Sequence, residues 1–383
     1  MISVARKSAA PTRLRELALL FGKLGVVGFG GPSAHIAMME DEVVARRGWL
    51  ARETFVEALA ATNVIPGPNS TEMAIHIGHR RAGIAGAMVA GLTFVAPAFV
   101  LMVILSWAYF RWSDVAAISD LFAGLKPAVI AILAVTLWRL FRSSVRDVPQ
   151  LVVMAAAGGM AYAFTAWEPL ILLAAGLAGV VLYLRPTAYP KLPLAAFVPL
   201  PVLAAFVAWE PGTLRDLSLV FLWAGGLLFG GGYVLIPLIE DAVTNQYGWL
   251  TRQQFLDGVA LGQATPGPIV ITATFVGYGA AGLPGAIVAT VAVFAPSFAF
   301  AIGTSSLLQR VSAWTAAAAF LKGVSPAVVG SIAAVSAHLG RSAITDGWTA
   351  LLAIAGFAIA WRYGPIPTLA LAGAGGIVVY EWT

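Results

Sequence analysis

The stretch Ile65-Pro66-Gly67-Pro68-Asn69-Ser70-Thr71-Glu72 returns in the second half of the chain as Thr265-Pro266-Gly267-Pro268. Two prolines around a glycine remove two backbone donors and forbid a continuous helix. The residues leading into each elbow, Ala58 to Ile65 and Gly258 to Ala264, are largely apolar. Irregular backbone in such a setting is tolerated only where it lines a cavity or is buried in protein. The competing reading is a structural hairpin in a surface loop.

The elbows belong to a longer repeat. Phe29-Gly30-Gly31 recurs as Phe229-Gly230-Gly231, Glu40-Asp41 as Glu240-Asp241, and Gly48-Trp49-Leu50 as Gly248-Trp249-Leu250. After the elbows the offset shifts by one residue. Gly78 then matches Gly277, Gly83 matches Gly282, and Pro127-Ala128-Val129 matches Pro326-Ala327-Val328. This divides the chain into a basic tail (1–13), a first module (14–185), a linker (186–213) and a second module (214–383).

The 383 residues are 60% hydrophobic and 11% charged, against about 25% charged in soluble domains. Mean hydropathy is +0.86. Apolar runs near the ~20 residues of a membrane crossing recur throughout. Lipid offers the backbone no partners, so these runs are helices; the alternating ~10-residue segments of a barrel are absent. The expected fold is an all-α polytopic membrane protein of about 10–13 crossings. Its elements lie near 14–38, 55–79, 83–110, 115–141, 149–166 and 168–185, and near 217–238, 255–279, 282–305, 313–337, 346–362 and 364–381. The stretch 192–209 is a further apolar segment, interrupted by prolines, and 55–79 is a candidate to enter and leave on one side. The basic tail reads as cytoplasmic rather than as a cleaved signal. No cysteine is present, which excludes disulfides and thiolate metal sites.

Charge sets the orientation. Residues 1–191 hold 17 Lys and Arg, and residues 192–383 hold 6. Arg139, Arg142 and Arg146 follow the fourth element of the first module, against Arg341 in the second. Positive loops stay cytoplasmic. A parallel second module would repeat those charges, so the two modules form an inverted-topology repeat, as in many secondary transporters.

Several residues are placed to handle an ion. A helix restarting after Gly30-Gly31-Pro32, or after Gly231-Gly232, exposes N–H groups at the positive end of its dipole, an anion site without a charged side chain. Close packing through small residues is the alternative. Asn69, Ser70 and Thr71 could cap the half-helix after the first elbow and donate to an oxyanion; Thr265 stands beside the second. Lys126 and Lys322 lie near the middle of equivalent elements, and two cations meeting across the pseudo-twofold axis would suit a divalent anion. Lys23 is a lesser candidate. Glu72 and His35 could carry a coupling proton, as could His76 and His79. Glu40-Asp41 and Glu240-Asp241 read as interfacial ion pairs, and Trp49 and Trp249 as membrane-belt anchors. Walker, dinucleotide and zinc spacings are absent, so neither a cofactor nor a metal is expected.

The run Phe29-Gly30-Gly31-Pro32-Ser33-Ala34-His35-Ile36, then Gly48-Trp49-Leu50, Pro66-Gly67-Pro68 and Ile77-Gly78 with Arg80-Arg81-Ala82-Gly83, resembles the chromate ion transporter family. Gly230-Gly231-Gly232-Tyr233 and Pro266-Gly267-Pro268 resemble that family's C-terminal domain. The likeness covers nearly the whole chain and fits the long, two-domain members. It implies chromate efflux across the bacterial inner membrane, with Gly30 to Pro32, His35 and both elbows as functional positions. The chain departs from the family at Glu72, where glutamine is common, and at Glu40-Asp41. The expected partners are chromate or sulfate, protons and membrane lipid; nucleic acid is not among them, and homodimerisation is left open. The alternatives are a carrier of another small anion, a membrane-embedded enzyme (to which only His76-x-x-His79 points) and a non-transporting receptor.

Overall fold

The computed structural model describes residues 10–29, 31–62, 65–112, 115–184, 212–229, 231–304 and 315–380. Fourteen α-helices and no strand occur among them. The first half holds α1 (Ala10–Val27), α2 (Pro32–Glu40), α3 (Arg52–Thr62), α4 (Asn69–Trp112), α5 (Ala116–Ser144), α6 (Val148–Ala163) and α7 (Glu168–Tyr183). The second holds α8 (Thr213–Gly226), α9 (Leu235–Asp241), α10 (Arg252–Ala264), α11 (Thr272–Thr304), α12 (Thr315–Ala343), α13 (Gly347–Tyr363) and α14 (Pro365–Tyr380). Five helical stretches are long and apolar enough to cross a membrane: Asn69–Trp112, Asp120–Ser144, Thr165–Tyr183, Ile269–Thr304 and Thr315–Ala343. The all-α, two-module expectation is met. The 192–209 segment lies outside the described residues, as do Gly30 and Gly230.

One expected element is two. The chain does not run on through 14–38 but breaks after α1, where Gly31 takes φ +78° and Pro32 opens α2. Proline disfavours the helical conformation in the residue before it, and glycine accepts the alternative. α2 ends in a π-helical turn, Asp41–Arg46, matched in the second half by Ala242–Gln246.

The elbows make re-entrant hairpins. α3 has 11 residues, about 16 Å of helix, and cannot cross a hydrocarbon core of about 30 Å. After the elbow, the first limb of α4 is also short, because the helix reverses at Ala82-Gly83, where Gly83 takes φ +62°. Gly78 then lies directly against Gly86, so the limbs 69–81 and 84–112 run side by side. α11 repeats this at Ala281-Gly282, with Gly277 against Gly285.

Inversion is visible in which residues meet. Gln150 donates its side-chain amide to the Lys322 carbonyl (3.5 Å) near the start of α6 and of α12. Tyr162 stacks on His338 (4.5 Å between centroids) near the end of both. α6 therefore runs parallel to α12. It also reverses the direction of α5 after a short turn capped by Asp147, so α5 and α12 are antiparallel. In the same way Phe110, near the end of α4, packs on Tyr278 just ahead of the α11 reversal, while Gly91 meets Phe298 far along the limb that follows it, which makes the long limbs of α4 and α11 antiparallel. Each module's terminal hairpin crosses to the other module: α6 and α7 pack on α12, and α13 and α14 on α5. Glycine pairs let these helices touch backbone to backbone, Gly158 on Gly330 and Gly124 on Gly376. Neither half can therefore bury its long helices without the other.

The charges divide between the two faces. Arg46, Arg52, Arg81, Arg142 and Arg146 lie toward one face, and Arg111, Arg215, Arg252 and Arg341 toward the other. Arg81 pairs with Glu16 (2.6 Å) and covers the Trp49 ring, tying α1, α2 and the α4 reversal to this basic face. Glu40 and Arg52 (3.4 Å) are mirrored on the opposite face by Glu240 and Arg252 (3.0 Å).

Candidate functional site

The re-entrant units enter from opposite faces and meet at their tips. The amide of Gly67, in the first elbow, donates to the Leu228 carbonyl (3.1 Å). The amide of Gly267, in the second, donates to the Gly28 carbonyl (2.8 Å). Gly28 and Leu228 are equivalent positions in the repeat, each just before the glycine break. Every elbow is thus bonded to the broken segment of the other module. His35 reinforces one junction: its Nε2 donates to the same Gly28 oxygen (2.8 Å), and its ring stands edge-on to Phe94.

A small cavity of about 50 Å³ opens at the second elbow. Gly28, Gly31, Thr265, Gly267 and Ile269 form its backbone wall, and Thr136, Arg139, Tyr233 and Gln263 supply polar side chains. The starts of α2 and of the helical run from Ile269 both border it, so two positive helix ends face one space. Tyr233 donates to Gln263 Oε1 (3.3 Å), while Gln263 Nε2 is buried without a partner. Thr265 spends its hydroxyl proton on the Leu261 carbonyl (2.6 Å). Arg139 is exposed at the rim, and no carboxylate among the described residues borders the cavity. Unused donors with no acidic neighbour suit a small anion. The volume is far below the ~300 Å³ of an organic-ligand site.

The first elbow has a different chemistry. Pro66, Gly67 and Pro68 are buried. Glu72 is fully buried and neither carboxyl oxygen has a hydrogen-bond partner; Ser70 Oγ, Thr71 Oγ1 and Ser297 Oγ are also without one. A side chain added at Gly67 would collide with the Glu72 and Ser297 oxygens, which places those two groups against the elbow. Both ring nitrogens of His76, one turn beyond Glu72, are buried without partners. Asn69 opens α4, whose Thr71 and Glu72 amides donate to the Pro68 carbonyl. At the equivalent place in the second module Ala98 replaces Ser297, and Thr272 turns its hydroxyl to the Ile269 carbonyl (2.9 Å). Gly231 takes φ +117°, and Gly232 packs on Ile269 and Val270.

The two intramembrane lysines have no partner in common. Lys126 Nζ lies 3.8 Å from Asp257 Oδ1, and Tyr109 donates to Asp257 Oδ2 (2.8 Å). Lys322 Nζ sits over the Tyr183 ring at 5.1 Å, and the Tyr183 hydroxyl donates to Asp147 near the basic face. Lys23 pairs with Glu42 (3.2 Å), which also binds Arg47 (3.1 Å). Trp49 carries Arg47 and Arg81 on its ring, and Trp249 stacks on Tyr247. No group of acidic or histidine side chains able to hold a metal occurs among the described residues.

Sequence reasoning did not single out Arg139, Tyr233, Gln263, Asp257 or Ser297. Asp257 was detectable, because a carboxylate inside the apolar run Phe255 to Leu261 is as costly as the lysine that drew attention. In the sequence Arg139 is one of the flanking positive charges, and no local signal separates it from Arg142.

The model of a family described as chromate transporter matches residues 15–180 and again 215–379. A chromate transport protein of Cupriavidus metallidurans is 34% identical over 97% of this chain and 94% of its own length. One from Pseudomonas aeruginosa is 35% identical, covering 92% and 88%. An uncharacterized transporter of Methanocaldococcus jannaschii is 29% identical, covering 86% and 84%. No solved structure matches the chain.

Proposed function

Because the chain belongs to the chromate transporter family, we propose that it is a secondary transporter of a tetrahedral oxyanion, not an enzyme. Chromate is the first substrate and sulfate, of the same shape and charge, the alternative. The observation that carries this reading is the acid-free cavity at the second elbow, where two helix starts, Gln263 Nε2 and Arg139 converge. Dipole ends and fixed donors replace part of an ion's hydration without requiring a full counter-charge.

In this reading Gly31, Pro32, Thr265 and the second elbow hold the anion, with Gly231 and Gly232 shaping the tip behind it. Lys126 and Lys322 act on it at a distance rather than as a pair. Transport is efflux, and the basic face, which carries the start of α1, is the cytoplasmic side of a bacterial inner membrane. Coupling is to protons, with Glu72 as the carrier. Charging a fully buried carboxylate that has no donor and no cation is costly, so the group takes a proton whenever the elbow is closed to water. His35 and Lys23 are weaker carriers, since each already has a partner.

Uptake of chromate and of sulfate into proteoliposomes, with and without a pH gradient, tests the proposal. Saturable chromate uptake that responds to the gradient is expected, and Glu72→Gln is expected to remove that response while uptake persists. Absence of uptake for both anions from well-folded protein overturns the assignment.

A further inference from the structure

The two re-entrant units are equivalent in sequence but not in surroundings. α10 of the second unit is enclosed by α4, α5, α11, α12 and α14. Leu256 and Val259 are completely buried, and Asp257 is 4% exposed. α3 of the first unit has α4 as its main neighbour. There Val56, the counterpart of Leu256, is 53% exposed, and Glu57 and Ala60 are exposed where Asp257 and Ala260 are buried. The segments before them differ in the same sense: Ala37 of α2 is exposed and Ala34 half-buried, whereas Val234 and Pro237 are buried.

One polar contact distinguishes the two units. Asp257 is held by Lys126 of α5 and Tyr109 of α4, both from the first module. Among the described residues the first unit has no such tie: Glu57 replaces Asp257, and the repeat equivalent of Lys126 is Ser325. An ion pair in a low-dielectric interior holds its helix firmly only while both partners are present.

We propose that Asp257, acting through Lys126 and Tyr109, is the latch that holds the second re-entrant unit shut, and that the structure shows the state open on the basic face. The equivalent state, with α3 docked and α10 released, opens the other face. An inverted repeat supplies both states from one packing scheme. The exposed edge of α3 is then the wall of a water-filled entrance, in keeping with the two carboxylates it carries, Glu53 and Glu57. This rests on the transporter reading for its purpose, but its test does not require transport.

The chain is naturally free of cysteine, so single cysteines can be introduced without altering anything else. Val56→Cys and Leu256→Cys are each to be labelled in intact vesicles by a membrane-impermeant maleimide. Val56→Cys should react from the basic face at least tenfold faster than Leu256→Cys reacts from either face. Adding Asp257→Asn should raise labelling of Leu256→Cys several-fold from the opposite face and lower that of Val56→Cys. Tyr109→Phe, which deletes one hydrogen bond and no charge, should shift both in the same direction by less. It supplies the readout if Asp257→Asn fails to fold. Equal reactivity at both sites overturns the proposal, as does labelling of Leu256→Cys unchanged by either substitution. Reaction of Val56→Cys only with a membrane-permeant reagent, or spontaneous cross-linking between copies at that position, would show a lipid-facing or subunit surface and overturn it too. If uptake of chromate fails while these labelling shifts appear, the substrate assignment falls and the latch stands.

Discussion

Gly28 accepts the amide of Gly267 at 2.8 Å, and His35 Nε2 donates to the same oxygen at the same distance. One carbonyl in the first module therefore joins its own helix break to the elbow of the second. A carbonyl can only accept, so the proton sits on Nε2, and the ring serves as a fixed donor. His35→Ala should lower thermal stability by about 1 kcal/mol, the usual net value of such a bond, and raise the KM for the anion. His35→Gln, which keeps an N–H donor, should recover most of both. The pH profile of uptake should be the same in wild type and His35→Gln. A flattened profile in the glutamine variant would instead make the imidazole a proton carrier.

The elbows and the helix reversals both use glycine at positive φ, for different reasons. Gly83 takes φ +62° and ψ −153° in open space, so Gly83→Ala meets only the backbone strain of a region that glycine alone adopts readily, roughly 1–3 kcal/mol. Gly67 combines φ +155° with contact against Glu72 and Ser297. Gly67→Ala should therefore abolish uptake at expression levels where Gly83→Ala keeps most of it. Melting curves and uptake of the two purified variants, side by side, decide the point. Comparable activity in both would mean that the elbow has more room than its contacts indicate.

Much of this architecture is written locally. Pro66-Gly67-Pro68 and Pro266-Gly267-Pro268 announce the hairpin tips, and the uneven charge of the two halves announces the inversion. What the residues do not announce is the exchange of partners. The contact of Gly267 with Gly28 and that of Lys126 with Asp257 join positions far apart in the chain. The same physics that selected Lys126 as an intramembrane cation could not reveal that its counter-ion sits in the other module. Nor does local sequence distinguish Arg139, which borders the cavity, from Arg142 a turn's length away, which does not. Helix rotation decides that, and it is set by packing.

Asp147 caps α6 outside the membrane span. The Tyr183 hydroxyl and the Gln150 amide both donate to it, and together they hold its carboxyl below the ordinary value of 3.8. A depressed carboxylate adds stability above its unfolded pKa and loses that contribution as pH falls through the folded one. Wild type should thus melt higher than Asp147→Asn at neutral pH, with the gap closing below about pH 4. Melting temperatures across that range, in one detergent and at constant ionic strength, check it. A gap that persists in acid would locate the effect in packing rather than charge.

Arg139 stands at the rim of the cavity with no carboxylate beside it, so its charge is directed at whatever enters. Being exposed, it acts first on approach and then as a donor. Arg139→Gln should raise the KM for chromate about ten- to a hundredfold, the equivalent of about 1.5–3 kcal/mol for a charge-assisted bond. Arg139→Lys should fall between, since it keeps the charge but loses the planar fork that matches an oxyanion. Because rim charges are screened, the wild-type KM should climb with ionic strength over the range where the Debye length shrinks below about 10 Å. The KM of Arg139→Gln should be nearly flat over that range. If the glutamine variant keeps both the wild-type KM and its salt dependence, the entrance lies elsewhere, and the tip cavity is a sealed packing defect rather than the anion's binding place.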